Sequence, residues 1–318
     1  MKENLLDKLK LNPYLYFVFK FSILFFIIFL FDFLIGNGLR YLYYKQESGY
    51  QFRTTYSLEK ADADILIFGS SRANHHYNSE IFENRLKMSC YNVGRYGSSI
   101  FYHSAILKGV LKRYTPKIII LDIRRWEFVK QDINYERLAS LLPYYRSHPE
   151  IHSIVKLKSK YEKYKLLSNI YPYNSSIFNI LLGNLKKDGT TEIKGYLPVT
   201  ETLTVAPVPV KKVVSDGTID TTLVRIYETF IKDCVEAGVE LHIFCSPYFS
   251  EDKEQDQSIE LEKTIAQKYN IPYHDFSNEP VFLNKLPLFA DYSHLNKKGA
   301  QLFTNIIIDS IEKYRGKK

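Results

Sequence analysis

The stretch Asp64-Ile-Leu-Ile-Phe-Gly-Ser-Ser-Arg-Ala-Asn-His-His-Tyr77 decides how the rest of the chain is interpreted. Its apolar run, 65–68, predicts a parallel strand that is buried on both faces, and Gly69 ends that strand. Open α/β sheets bind their ligands outside the carboxyl ends of the strands. A serine just past a strand, where a helix begins, has an exposed hydroxyl group in the favourable field of the helix amides. Ser71 is therefore the candidate nucleophile.

Short apolar runs alternate with amphipathic runs on either side of an irregular segment, 124–217. The predicted strands are 65–68, 90–93, 117–123, 239–245 and 272–275. The predicted helices are 79–87 with Ser79 as N-cap, 98–114, 221–236, 252–269, and 297–312 with Asn296 as N-cap. Strands that alternate with helices at this spacing form right-handed crossovers and a parallel sheet. The sequence therefore predicts an α/β fold with a flavodoxin-like, doubly wound, five-stranded parallel sheet and a long insertion after the third strand.

The composition is that of a folded protein without a metal or disulfide framework. The chain has 318 residues and 45% apolar content, which is enough for a substantial core. Its three cysteines, Cys90, Cys234 and Cys245, are odd in number and share no metal-ligand spacing. Cys90 and Cys245 fall in predicted strands, so we expect them to be buried packing residues. No metal site and no cofactor is indicated.

An apolar run near the N-terminus, 15–35, is long enough to cross a bilayer. About 20 residues are needed, and the run is interrupted only by Lys20, Ser22 and Asp32. Lys20 and Asp32 stand toward its ends, where each can reach headgroup level. The alternatives are a buried helix and a cleaved signal peptide, but the latter would have a shorter apolar core and a small-residue cleavage site. We therefore predict a retained single-pass transmembrane anchor over 15–36.

The anchor divides the chain into four predicted parts. Residues 1–14 form an N-terminal cytoplasmic segment, 37–61 a juxtamembrane linker, and 62–318 the α/β domain. Lysines before or at the start of the span slightly outnumber the basic residues just after it. This bias favours a catalytic domain on the extracytoplasmic side of the cell membrane.

Positive charge is concentrated around the start of the insertion. Residues 108–165 contain 14 Lys or Arg against six Asp or Glu, and this difference of eight equals the net charge of the whole chain. Such a surface could face anionic headgroups or an acidic polymer, and it could equally consist of solvated helix faces. No nucleic-acid-binding module is present, so no nucleic acid partner is expected.

The sequence Phe289-Ala-Asp-Tyr-Ser-His-Leu-Asn296 precedes the last predicted helix. Asp291 and His294 are three residues apart, so the carboxylate can accept the Nδ1 proton while Nε2 points elsewhere. Such a pair by itself is most often a structural hydrogen bond in a loop. Together with Ser71 at the exit of the first strand, in the order Ser, Asp, His, it predicts a catalytic triad.

Three segments of the chain resemble the SGNH (GDSL-like) hydrolases. Gly69-Ser-Ser71 is similar to their first block, with Ser70 where Asp usually stands. Asn92-Val-Gly-Arg-Tyr-Gly97 is similar to the second block, and Asp291-Tyr-Ser-His294 to the last. The resemblance covers about 62–123 and 220–314. It implies serine-dependent acyl transfer with an oxyanion hole formed by the Ser71 and Gly97 amides, and Gly94 is the second choice for that glycine.

The third block of the family, an Asn side chain after strand three, has no counterpart here. The chain reads Leu121-Asp-Ile-Arg-Arg-Trp-Glu127 at that place. Arg124 or Arg125 could supply the missing donor, because a guanidinium group donates strongly to a developing oxyanion. Equally, either side chain could form a salt bridge with Asp122 or Glu127.

The residues close to Ser71 in the sequence are assigned lesser roles or none. Ser70 is the fallback nucleophile. His75 and His76 are close in sequence but are expected on the outer side of the turn that follows, without a functional role.

The sequence as a whole predicts a membrane-anchored, serine-dependent O-acyl hydrolase or O-acyltransferase. The resemblance implies acetyl groups of an envelope or exported polysaccharide as the substrate, and another ester remains open. Transfer would also require a membrane partner protein that donates the acyl group. The alternative is a catalytically weak or inactive protein of this fold that serves assembly or binding in the cell envelope.

Overall fold

The computed structural model describes residues 12–185, 192–206, 217–251 and 256–316. Most of the predicted cytoplasmic segment 1–14 and the predicted start of a helix at 252 lie outside these residues. Parts of the insertion, 186–191 and 207–216, also lie outside them.

The centre of the molecule is a five-stranded sheet in which every pairing is parallel. Its strands are β1 (Ile65–Gly69), β2 (Cys90–Asn92), β3 (Ile118–Asp122), β4 (Glu240–Cys245) and β5 (Tyr273–Asp275). Their order across the sheet is β2-β1-β3-β4-β5. This is the predicted flavodoxin-like topology, so the predicted fold class is confirmed. Each predicted strand is found within two residues of its expected ends.

Twelve α-helices, several of them single turns, lie in the described part of the chain. They are α1 (Pro13–Tyr44), α2 (Gly49–Glu59), α3 (Ser71–His76), α4 (Ser79–Leu86), α5 (Ile100–Arg113), α6 (Asp132–Glu136), α7 (His152–Val155), α8 (Glu162–Lys165), α9 (Ile177–Leu185), α10 (Thr221–Glu236), α11 (Gln257–Lys268) and α12 (Lys297–Arg315). α10 and the N-cap Asn296 of α12 agree with the sequence prediction. The N-cap of α4 is Asn78 instead of Ser79, because the Asn78 side chain accepts from the Glu80 amide.

Side chains on the two faces of the sheet enter separate apolar clusters. Leu66 and Phe68 pack with α5 and α10 on one face, whereas Ile65 and Ile67 pack with α12 on the other. All four are completely buried. Alternate residues of a strand point to opposite faces, so a wholly apolar strand is required when helices cover both. Cys90 and Cys245 are buried in strands, as predicted.

The predicted linker 37–61 is not a linker in the structure. α1 continues to Tyr44, and α2 then packs against α5. Leu58 of α2 is completely buried and contacts Gly109, where a Cβ atom would lie 2.6 Å from the Leu58 side chain. The sequence did not predict this helix, because the segment is polar overall and only one face of the helix is covered. The domain boundaries themselves remain a prediction.

The insertion consists of short helices and 3₁₀ turns that are held to α1 and α2 by polar contacts. The 3₁₀ segments are Arg137–Tyr144, Pro149–Ile151 and Tyr171–Ser176. Tyr144 is completely buried, and its hydroxyl group lies 3.2 Å from that of Tyr43 and 2.7 Å from Thr55 Oγ1.

Asp32 on α1 is another of these attachment points. Its carboxylate accepts from the Asn169 amide at 2.7 Å, from Asn169 Nδ2 at 2.9 Å and from Ser168 Oγ at 2.5 Å. The apolar part of α1 that precedes it is long enough to cross a membrane, and none of its most apolar 18-residue window is buried in the protein. This window is therefore not part of the core of the described domain.

Candidate active site

Ser71 lies where β1 ends and α3 begins. Gly69 makes this turn with φ +148°, and a Cβ atom there would lie 2.7 Å from the Asp122 carbonyl oxygen. The turn therefore needs glycine. Ser70 is the N-cap of α3, and its hydroxyl accepts weakly from the Arg72 amide at 3.5 Å. Ser70 is thus used as a cap, and Ser71 is the first residue of the helix.

His294 and Asp291 lie in a loop that the structure brings to the same edge of the sheet. Ser71 Oγ is 2.7 Å from His294 Nε2, and His294 Nδ1 is 2.7 Å from Asp291 Oδ2. The loop is closed by an antiparallel bridge between Phe289 and Leu295. The three residues that the sequence singled out, 223 positions apart at the extremes, are thus in hydrogen-bond contact.

The charge state of Asp291 suits its contact with the imidazole. Burial alone would raise its pKa, but hydrogen bonds from the His294 ring and from the Ser293 and His294 amides lower the pKa to about 2. The carboxylate is therefore ionised at neutral pH and accepts the Nδ1 proton. With the proton on Nδ1, Nε2 is free to accept the Ser71 hydroxyl proton.

His76, for which no role was expected, holds the loop that carries His294. The Leu295 amide donates to His76 Nε2 at 3.0 Å, so this nitrogen carries no proton. Nδ1 therefore carries it and donates to Ser246 Oγ at 3.0 Å. Burial lowers the pKa of His76 well below its usual value, which keeps the ring neutral as this arrangement needs. The expectation that His76 lies on the outer side of the turn was wrong, because the ring is completely buried.

His75 lies on another side of the same imidazole. Its ring is 5.3 Å from that of His294, edge to face, and its Nδ1 donates to the Leu197 carbonyl group at 2.7 Å. Burial lowers the pKa of His75, with His294 as a smaller contribution in the same direction. The expected outward placement of His75 was also wrong. Only the fold reveals either contact, since Leu197 and Leu295 are far away in sequence.

A buried polar cluster fixes the exits of β1, β3 and β4 beneath the site. Asp122 Oδ1 accepts from Tyr77 Oη at 2.8 Å and from the Ser246 amide at 3.1 Å. Arg72 Nε lies 3.8 Å from Asp122 Oδ2 and donates to Ser246 Oγ at 3.1 Å. The Arg72 guanidinium also stacks on Tyr248 at 3.7 Å from the ring centre. This cluster, which the sequence analysis missed, ties the nucleophile helix to the sheet.

The oxyanion candidates differ in how their N–H groups are used. Ser71 is the first residue of a helix, where amide groups have no partner within the helix. Gly97 follows β2 with φ +69°, in a loop joined to β1 by a 3.0 Å bond from the Arg95 amide to the Gly69 carbonyl group. The Gly94 amide instead donates to Asn92 Oδ1 at 3.0 Å. Gly94 is therefore the weaker candidate.

The two arginines considered for the third donor have other contacts. Arg124 Nε is 2.6 Å from Glu127 Oε2, which is the salt bridge considered as its alternative role. Arg124 nevertheless lines a small cavity together with Ser70, which is next to Ser71 in the chain. Arg125 extends away and donates to Asn278 Oδ1 at 2.5 Å. The oxyanion role of Arg124 remains a hypothesis.

Neither a search for metal-ligand clusters among the described residues nor a comparison of sequences extends this description of the site. Within the described residues, no three His, Cys, Asp or Glu side chains converge as they would around a metal ion. No family model and no curated protein matches the chain.

Two solved structures resemble the chain in fold. One is an acetyl xylan esterase, AlAXEase, with 12% identity and a TM-score of 0.40, over 78% of this chain and 99% of the other. The second is a candidate acylhydrolase from Bacteroides fragilis NCTC 9343, with 11% identity and a TM-score of 0.44, over 85% of this chain and 99% of the other. Likeness at this level does not assign an activity.

Proposed function

We propose that this chain is an SGNH-type serine enzyme that cleaves or transfers O-linked acyl groups. The observation that carries the proposal is the continuous set of hydrogen bonds from Ser71 Oγ through His294 to Asp291, with 2.7 Å at each step. A nucleophile, a base within hydrogen-bond reach, and a carboxylate that orients the base are the parts that acyl transfer needs.

The reaction follows from these contacts in two stages. Ser71 Oγ attacks the ester carbonyl carbon while His294 Nε2 takes its proton, and the carbonyl oxygen becomes an oxyanion. The amides of Ser71 and Gly97 would donate to that oxyanion, with Arg124 as a third candidate donor. His294 then protonates the departing alcohol, which leaves an acyl group on Ser71. Attack by water completes hydrolysis, and attack by a sugar hydroxyl completes transfer.

The substrate we propose is an acetylated polysaccharide of the cell envelope. The support is the resemblance of the three sequence blocks, together with a membrane helix that would hold the site close to such a polymer. If the enzyme is a transferase, a membrane partner protein would provide the acyl group.

We further propose that α1 spans the cell membrane and that part of the insertion lies at the bilayer surface. If 15–35 fills the hydrocarbon layer, then the loop that binds Asp32 lies at its boundary. Leu167 in that loop is 75% exposed, and Tyr161 and Tyr164 nearby are more than half exposed. The lysines between 156 and 165 surround them. Exposed aromatic, leucine and lysine side chains are typical of a membrane interface.

Turnover of p-nitrophenyl acetate by the full chain in detergent micelles tests the activity. We expect Ser71→Ala to reduce turnover by roughly 10³-fold or more. Ser70→Ala is the matched control, because it removes the neighbouring hydroxyl and should cost less than about 10-fold. Turnover that survives Ser71→Ala would rule out the triad.

An inactive parent would instead favour the second candidate function. The missing Asn of block three and the engagement of Arg124 by Glu127 are the observations in favour of a catalytically weak assembly or binding protein. That protein would keep the fold and the site geometry without measurable turnover of acetyl esters.

A further inference from the structure

A second polar cavity is lined by the loop that contains Gly97. It has a volume of about 120 Å³ and lies between the loop after β2, the start of α5 and the start of the insertion. A water molecule occupies roughly 30 Å³ in the liquid, so the cavity has room for a carboxyl group and part of a sugar ring. The side chains that set its chemistry are Arg95, Asn134 and Arg137.

Both arginines in this cavity contact only uncharged protein groups. Arg95 Nη1 donates to the Tyr50 carbonyl group at 3.1 Å and to the Thr54 hydroxyl. Arg137 Nη1 donates to the Gly97 carbonyl group. In the part of the chain that the structure describes, neither forms an ion pair with a carboxylate. Two guanidinium groups without a counter-ion make the cavity positive, and burial and the nearby Arg124 lower the pKa of Arg137 accordingly.

Asn134 gives independent support for a ligand. It is 2% exposed and lines the cavity, yet neither its side-chain oxygen nor its side-chain nitrogen has a hydrogen-bond partner among the described residues. Leaving a buried polar group unpaired is energetically costly, and folded proteins rarely do so. An amide can donate to a carboxylate and accept from a hydroxyl group, and sugar acids carry both.

The cavity shares one wall with the proposed oxyanion hole. Gly97 would offer its N–H group to the reacting ester, and its carbonyl group is held by Arg137. We propose that this cavity binds the carboxylate of an acidic sugar unit, so that the enzyme acts on acyl esters of an acidic glycan. This inference rests on the proposed function. A guanidinium group pairs with planar carboxylate groups through two parallel hydrogen bonds, which makes this anion the best fit.

Binding can be tested without catalysis on the full-length Ser71→Ala variant in detergent micelles. Titration calorimetry compares oligogalacturonate with neutral xylo-oligosaccharide of the same length. We expect the acidic sugar to bind at least about 10-fold more tightly, since hydrogen bonds between charged groups are stronger than those between neutral groups. Equal binding of the two would overturn the proposal, and so would tighter binding of glycerol phosphate than of galacturonate.

Asn134→Asp, added to the same variant, places a negative charge in the cavity with little change of shape. We expect it to weaken oligogalacturonate binding by about 10-fold or more. Gln301→Glu is the matched control, because it makes the same change on the exposed surface of α12 and should leave binding unaltered. Equal effects of both substitutions would mean that general charge, and not this cavity, attracts the sugar.

Acetate release separates this proposal from the proposed function. On the active parent, O-acetylated oligogalacturonate should give a lower KM than O-acetylated xylo-oligosaccharide, and Asn134→Asp should raise that KM with a smaller change in kcat. Hydrolysis without such a preference would overturn the cavity assignment and leave the esterase. Selective binding without hydrolysis would keep the cavity and remove the esterase.

Discussion

The part of the domain that contains the sheet and the insertion after β3 are built in different ways. In the sheet part, β1 and β3 are buried on both faces, and the three proposed catalytic side chains meet at one edge of the sheet. In the insertion, short helices and 3₁₀ turns are joined by tyrosine hydroxyl groups and by Asp32. The sheet and its helices thus position Ser71 and the short loop that carries Asp291 and His294, whereas the insertion is built mostly from irregular segments. We therefore propose that the chemistry takes place in the first region and that the second region contacts the substrate and the membrane.

Among the substitutions that test this difference between the two regions, Gly97→Ala should have the largest effect. Gly97 lies where the two regions meet. A Cβ atom there would lie 2.5 Å from Arg137 Nη1, so the guanidinium group must release the Gly97 carbonyl group, and alanine is strained at φ +69°; both changes disturb the loop that carries the proposed oxyanion donor. We expect kcat to fall by about 10²–10³-fold on p-nitrophenyl acetate. Gly238→Ala is the matched control, because Gly238 has a similar φ of +71° with open space around it. An equal loss for both would attribute the effect to backbone strain.

His76→Phe should give the next largest effect, within the sheet part alone. Without the acceptor for the Leu295 amide, the loop that carries His294 shifts, and a shift of about 1 Å can cost roughly 10²-fold in kcat. Since His76 touches no substrate, KM should change little. His274→Phe, on β5 and stacked against Phe244, is the control that should retain turnover. Unchanged kcat for His76→Phe would show that the loop holds its shape without this ring.

Asp32→Leu tests whether the insertion depends on α1. The substitution leaves the Ser168 and Asn169 donors without an acceptor, which costs about 1–3 kcal/mol. Hydrogen exchange at the amides of 168–176 should then become roughly 5- to 150-fold faster, while exchange in β1 and β3 stays the same. Asn37→Leu is the control, since Asn37 Nδ2 donates to the Phe33 carbonyl group, which is also on α1. Acceleration throughout the sheet would mean that the two regions unfold together.

The pH dependence of Asp291 should give the smallest effect. Its pKa is about 2 in the folded protein, below the ordinary value of 3.8, so its contribution to stability is present above about pH 4 and is lost as the pH falls through 2. The side chain is more than half exposed, so the contribution should stay below about 1 kcal/mol. Urea unfolding of the parent and of Asp291→Asn should therefore differ slightly at pH 7 and converge near pH 2. A gap that widens in acid would contradict the assignment.

The sequence was informative wherever a structure depends on neighbours along the chain. The helix 221–236 was predicted to the residue, because its apolar periodicity is strong and it ends near a glycine. The N-cap Asn296 was likewise readable from one side chain and the helix after it. By contrast, α2 was mistaken for a linker, since its buried face is set by α5 and not by its own pattern.

Within the site, the same division separates the residues that were found from those that were missed. Ser71, Asp291 and His294 stand in recognisable positions, after a strand and before a helix. His76 and Ser246 have no such local signal, because their roles depend on Leu295 and Arg72, which reach them only through the fold. The position of Arg124 after β3 drew attention to it. The sequence did not decide between a salt bridge with Glu127 and the alternative roles.

The sequence by itself determined that the sheet is parallel and has a flavodoxin-like strand order. It also determined the apolar N-terminal helix and the three residues of the proposed triad. These follow from hydrophobic periodicity and from residue types at strand ends, which are properties of short segments. Only the tertiary structure decided which imidazole holds the loop, where Gly97 meets Arg137, and that Asp32 binds the insertion. Those contacts join residues between 40 and 219 positions apart, and chain connectivity does not specify such pairs until the core has brought them together.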